Sequence, residues 1–158
     1  MTNDKTNVMR VLDQAKLEYK AYAFDTETAP SAMQVANILN IDPARVFKTL
    51  VTVGKSGNHY VFVIPAPCEL DLKKAAAAVH EKNIEMIKSK ELLPLTGYIH
   101  GGCSPIAMKK FLKTTIDESC ILYDTIVFSA GKIGRQVEMS YEDLHRIIEF
   151  DLADLCVL

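Results

Sequence analysis

The chain has no C-x-x-C pair: its four cysteines, Cys68, Cys103, Cys120 and Cys156, lie far apart. That spacing argues against a zinc ribbon and against a thioredoxin-like redox motif. The four histidines, His59, His80, His100 and His145, are scattered as well, and none forms H-E-x-x-H. No metal or cofactor is expected. No apolar run approaches the ~18 residues that span a bilayer, and the start, "MTNDKTNVMRVLDQ", has no apolar signal region. A cytoplasmic protein with no membrane partner is the expectation. Strong positive charge is missing too. The formal net charge is −2, which excludes bulk electrostatic binding of nucleic acid and leaves only a local basic patch for that purpose.

What remains is ordinary globular material. With 158 residues, 49% of them hydrophobic, the chain suits a single domain over residues 1–158 that needs no disulfide or metal staple. Residues 4–17 repeat Val8, Val11, Leu12 and Ala15 at helical spacing. "YKAYAF" (19–24) alternates like a strand. "APSAMQVANILNI" predicts a second helix, with Ser31 and Gln34 forming a capping box. "DPARV" predicts a helical turn capped by Asp42, with Pro43 in the first position. A hairpin follows: "FKTLVTVG" (47–54), the turn "KSGN", then "HYVFVIPA" (59–66). Asp71 caps a third helix. "EMIKS" (85–89) predicts a short strand, and "SKELLPLTG" a short helix stopped near Pro94 and Gly97. "GYIHGG", "TTIDES", "CILYD", "TIVFSAG" and "GRQVEMS" all predict short strands, and "SYEDLHRIIEF" a last helix capped by Ser140. Helices set around many short strands do not give the β-α-β-α rhythm of a doubly wound sheet. A mixed α/β fold is expected, with a curved mixed sheet or open barrel and flanking helices.

Three places could carry chemistry. Lys48 stands in a strand with apolar residues on both faces, so its ammonium needs solvent, a cleft or a partner. Either it snorkels outward or it serves a site. "GGCSP" offers Gly101 and Gly102, whose freedom at positive φ allows close backbone approach to a ligand, with N–H groups able to cradle an oxyanion. Pro105 stiffens the exit. The alternative is a plain turn. "FSAGKIGRQ" (128–136) holds Ser129, Gly131, Lys132 and Arg135 and reads as a hairpin loop or as a second anion-binding wall. Lys109, Lys110, Lys113, Lys132 and Arg135 could form the local basic patch, or a solvated surface.

In combination, "YAFD", "ARVFKTLV", "TGYIHGGCSPI" and "VFSAGKIGRQVEMSYEDL" resemble the YbaK/EbsC family of aminoacyl-tRNA deacylases. That family is related to the editing domain of bacterial prolyl-tRNA synthetases, and the resemblance is strongest to its cysteinyl-tRNA branch and covers essentially the whole chain. It implies that Lys48 is the essential lysine, and that Gly101 and Pro105 form the G-x-x-x-P loop with Gly102 alongside. Tyr22 would be the pocket tyrosine, and Ser129 and Gly131 the second loop. The implied reaction removes mischarged cysteine from proline tRNA, with aminoacyl-tRNA and prolyl-tRNA synthetase as partners. The account that comes with the resemblance uses the substrate's own thiol, so Cys103 is not expected to be the nucleophile. Ala107, Ile133 and Phe24 depart from the common pattern of glycine, arginine and histidine. These departures leave room for a hydrolase of alanyl- or seryl-tRNA on the same fold; a tRNA- or nucleotide-binding module without catalysis is the other alternative.

Overall fold

The structure, a computed structural model, describes residues 5–157; residue 4 of the first expected helix lies outside them. That helix, α1, runs Asn7–Gln14, and Thr6 begins it by accepting from the N–H of Met9. It ends where Lys16 turns to φ +58° and the N–H of Leu17 closes back on Leu12 O, the usual left-handed termination. β1 spans Lys20–Ala23. α2, Ala32–Leu39, begins at Ser31, and the expected capping box with Gln34 is formed in both directions. Asp42 caps a 3₁₀ turn, Pro43–Arg45, with the proline at its start.

The hairpin forms as β2, Phe47–Gly54, and β3, His59–Pro65. After it come α3, Leu72–Val79, β4, Ile84–Met86, and α4, Ser89–Thr96. Pro94 does not stop α4: the helix continues to Thr96, and Gly97 at φ +84° ends it. The carbonyl that loses its donor to Pro94 is that of Lys90, an exposed residue that water can serve. The expected strand at "GYIHGG" is absent, because residues 97–112 form an irregular loop instead. β5 is Lys113–Asp117. "CILYD" is not a strand either: Asp117 caps a 3₁₀ segment, Glu118–Leu122, in its place. β6, Ile126–Lys132, and β7, Arg135–Met139, make the second hairpin. The last helix, α5, is only Tyr141–Leu144, and a strand that the sequence reading missed, β8, Asp151–Ala153, follows.

Two open sheets result. One has the order β1-β7-β6, the other β4-β2-β3-β5-β8. The second is mixed, with β5 parallel to both β3 and β8. A bridge between Val46 and Val127 links the two sheets. β3 is buried on both faces. Val61 and Val63 join Val8, Met9 and Leu12 of α1 and Phe128 and Val137 of the smaller sheet, while Tyr60, Phe62 and Ile64 pack on Ala75, Ala76 and Val79 of α3. α2 covers the seam with Val35 and Ala36 against Val46, Ala66 and Val127. Burying the core face of each element drives this arrangement. It leaves the start of β2 and the loop at 97–105 facing a common space.

Candidate functional site

Lys48 lies in the first half of β2. There β3 pairs with it on one side, Lys48 opposite Ile64. On the other side β4 reaches only Thr52–Gly54, so the strand opens onto a cavity of about 530 Å³ at Phe47 to Val51. The Lys48 ammonium donates to Ala66 O at 3.1 Å, beyond the end of β3, which fixes the side chain beside the cavity rather than outward in solvent. Other walls include the start of α2 from Pro30 to Met33, Met86, Ile87 and Ser89, the loop residues His100, Gly101 and Cys103, and the sheet residues Ser129 and Gln136.

The loop is tied down at several points. Tyr98 donates through its hydroxyl to Ile106 O at 2.5 Å, the N–H of Ile106 donates to Ser104 Oγ, and that of Lys109 to Thr96 O. Ser104 and Ile106 are fully buried. Gly101 stands at φ +86°, and a Cβ there would lie 2.6 Å from the Ala29 Cβ. Only glycine allows this approach of the two loops. The amide of Gly101 donates to no described residue. The amide of Gly102 is already used, donating to Ile99 O at 3.0 Å.

Ser129 precedes a bulge in the β6–β7 pairing. Its Oγ accepts from the N–H of Gly131 at 3.1 Å, and Gly131 adopts φ +94°. Gly131 thus orients the serine and does not itself line the cavity. Pro105 is buried within the loop, away from the cavity wall. Tyr22 faces Gln136 across the β1–β7 pair and donates to Glu138 Oε1 at 2.5 Å. Thr125 and Arg45 donate to the other carboxylate oxygen, at 2.5 and 2.9 Å. Burial alone would raise the Glu138 pKa, but the hydrogen bonds from Thr125 and Tyr22 and the Arg45 charge outweigh it and hold the carboxyl below its ordinary value. Burial, and then the Glu138 bond, raise that of Tyr22.

Lys48, Gly101 and Ser129 therefore meet at one cavity, whereas Gly102, Pro105 and Gly131 build the loops behind it and Tyr22 braces the neighbouring sheet. Burial pushes the Cys103 thiol up to about 12, so at neutral pH it is protonated and a poor nucleophile. The sequence reading missed Gln136 and Thr49. Gln136 alternates with core-facing Val137 and so reads as a solvent-side residue; that side of the strand turns out to look into the cavity. Thr49 Oγ1 is buried without a hydrogen-bond partner at the same wall. Among the described residues, no three His, Cys, Asp or Glu side chains are grouped to hold a metal.

The family model of the aminoacyl-tRNA editing domain matches residues 26–147, and the chain belongs to that family. It is 46% identical to a candidate Cys-tRNA(Pro)/Cys-tRNA(Cys) deacylase, EbsC, of Enterococcus faecalis, over 98% of this chain and 94% of that one. A crystal structure named for a candidate trans-editing enzyme of prolyl-tRNA synthetase superposes with a TM-score of 0.84 at 22% identity, covering 98% of this chain and 100% of that one. Another, of a protein described as hypothetical, gives 0.86 at 20% identity, over 95% and 99%.

Proposed function

We propose that the protein is a trans-acting deacylase that removes mischarged cysteine from proline tRNA, and cysteine from its own tRNA, in the cytoplasm. The observation that carries this reading is the meeting of Lys48, Gly101 and Ser129 at one cavity whose own thiol, Cys103, is kept protonated. The cavity's volume, about 530 Å³, suits a small ligand such as an aminoacyl ribose. The EbsC relative supports the choice of cysteine.

In this mechanism the substrate's thiol attacks its own ester carbonyl. A carbon–sulfur bond forms, the carbon–oxygen bond to the ribose breaks, and the thiol proton ends on the ribose oxygen. The amino acid leaves as a cyclic thioester. A well-oriented intramolecular attack has an effective molarity of ~10⁵–10⁸ M, so the protein needs only to fold the substrate and to stabilise charge. The Gly101 amide donates to the developing oxyanion, a contact worth about 2.7–4 kcal/mol in a favourable site. Lys48 adds positive charge beside the ribose and its phosphate, and Ser129 holds the substrate by its hydroxyl. Tyr22, Gly102, Pro105 and Gly131 keep these groups in place. An encounter with prolyl-tRNA synthetase would deliver the mischarged tRNA.

The test is deacylation of tRNA charged separately with cysteine, alanine, serine and proline at low salt. Loss of cysteine alone is the expected result. Comparable loss of alanine or serine would replace the substrate-thiol route by attack of water. No loss of any would overturn the enzymatic reading.

A further inference from the structure

Gln136 is 5% exposed and lines the cavity from the middle of β7. Its backbone is paired on both sides, to Tyr22 and to Ser129, so it reaches the cavity through its side chain. The carboxamide exchanges no hydrogen bond with any described residue. Its polar atoms are thus open to the cavity alone, and a ligand there can take up hydrogen bonds that the protein leaves unused. Two other acceptors at the cavity are engaged, while Thr49 Oγ1 at the same wall is not. Ala66 O receives the Lys48 ammonium, and Ser129 Oγ receives the Gly131 amide.

We propose that Gln136 is a specificity-determining residue that accepts a hydrogen bond from the substrate's free α-amine and thereby excludes N-blocked aminoacyl esters. This rests on the deacylase reading of the same cavity. The chemistry follows from the donors and acceptors present. The Lys48 ammonium and the Gly101 amide are donors suited to the ester and ribose oxygens. The donor that an aminoacyl ester carries next to its carbonyl is the amine. Gln136 Oε1, a carbonyl-type acceptor at the end of a side chain, is open to receive it, and the Thr49 hydroxyl can also donate to an ester oxygen. An ordinary α-amine has a pKa of about 7.7–8.0. Lys48 in the same cavity favours the neutral amine, which still donates to a neutral carboxamide. N-acylation removes the amine's basicity and one donor, and adds bulk beside Gln136. A polar group built to meet a substrate donor rejects analogues that lack it.

The probes are two adenosine conjugates in which cysteine is joined to the 3′ position through an uncleavable amide, one with a free α-amine and one N-acetylated. Binding to the wild-type protein is measured by calorimetry. The free amine is expected to bind at least tenfold more tightly. Gln136→Met, which keeps the side-chain volume, is expected to weaken the free amine about tenfold, the scale of one hydrogen bond, while still rejecting the N-acetyl form. Gln136→Ala, which opens space, is expected to narrow the gap between the two. Equal binding of both conjugates by the wild type, or no binding of either, would overturn the assignment without recourse to any variant. So would an unchanged free-amine Kd in a folded Gln136→Met protein. Deacylation of cysteinyl-tRNA by the wild type is measured alongside. If it proceeds while the conjugates fail to discriminate, only the role of Gln136 falls; if it does not proceed, the deacylase reading falls too.

Discussion

Ala107 carries a Cβ at φ +60°, in the left-handed region that disfavours any residue with a side chain. That conformation costs roughly 1–2 kcal/mol relative to the right-handed helix, offset by the extra freedom that glycine has when unfolded. Ala107→Gly is therefore expected to stabilise the protein by about 0.5–1 kcal/mol and to raise Tm by ~2 °C, read by thermal melting, and the exposed position leaves the site untouched. Gly101 gives the opposite case. Gly101→Ala meets the Ala29 Cβ and should lower both Tm and activity, while adding Ala29→Gly should recover part of the stability, the non-additivity that contact demands. Lys48→Ala should lose deacylation with folding intact, whereas Cys103→Ala should keep it, since a thiol held near 12 contributes little thiolate. The residues that sequence motifs singled out are those with a backbone or charge signature: a lysine within a strand, glycines after a loop. Gln136 has no such signature. Its place at the cavity comes from which way one face of β7 points, and that depends on where the other sheet sits.

The elements that were legible in the sequence are those set by local hydrogen bonds. Ser31 with Gln34, Asp42 with Pro43, Asp71 and Ser140 all begin helices or turns where their side chains reach backbone N–H groups two or three residues on. Ser31→Ala should cost about 1 kcal/mol. Because Pro30 to Met33 wall the cavity, it should also raise KM more than it lowers kcat, measured by steady-state deacylation. The elements misread are set by distant partners. Residues 120–124 alternate like a strand, yet Asp117 receives the Ser119 amide on one oxygen and the Leu155 amide on the other, and the chain winds into a 3₁₀ segment to meet both. Residues 97–102 lie against the end of β6 without pairing to it, and the hydroxyl of Tyr98 ties the loop to Ile106 instead. β8 is three residues long and exists because β5 offers a parallel edge.

At the scale of the molecule, the two sheets are joined by the Val46–Val127 bridge and by the ion pair of Arg45 with Glu138 beside it. Glu138 has a folded pKa below the ordinary 4.5, so its contribution to stability is complete above that value and is lost as pH falls through the lower folded one. Glu138→Gln should therefore be less stable at neutral pH and show a flatter loss of stability below about pH 4.5, followed by denaturant titrations across that range. Among the described residues no helix is long and apolar enough to cross a membrane. The last strand has one more consequence, which concerns synthesis. Every residue lining the cavity has been made once Gln136 emerges, yet the sheet that holds Lys48 is completed only when β8 joins it and Leu155 meets Asp117. A nascent chain thus carries all the cavity's chemistry before its outer strand, β8, has been made, and the pairing of β8 with β5 is a later, non-local event.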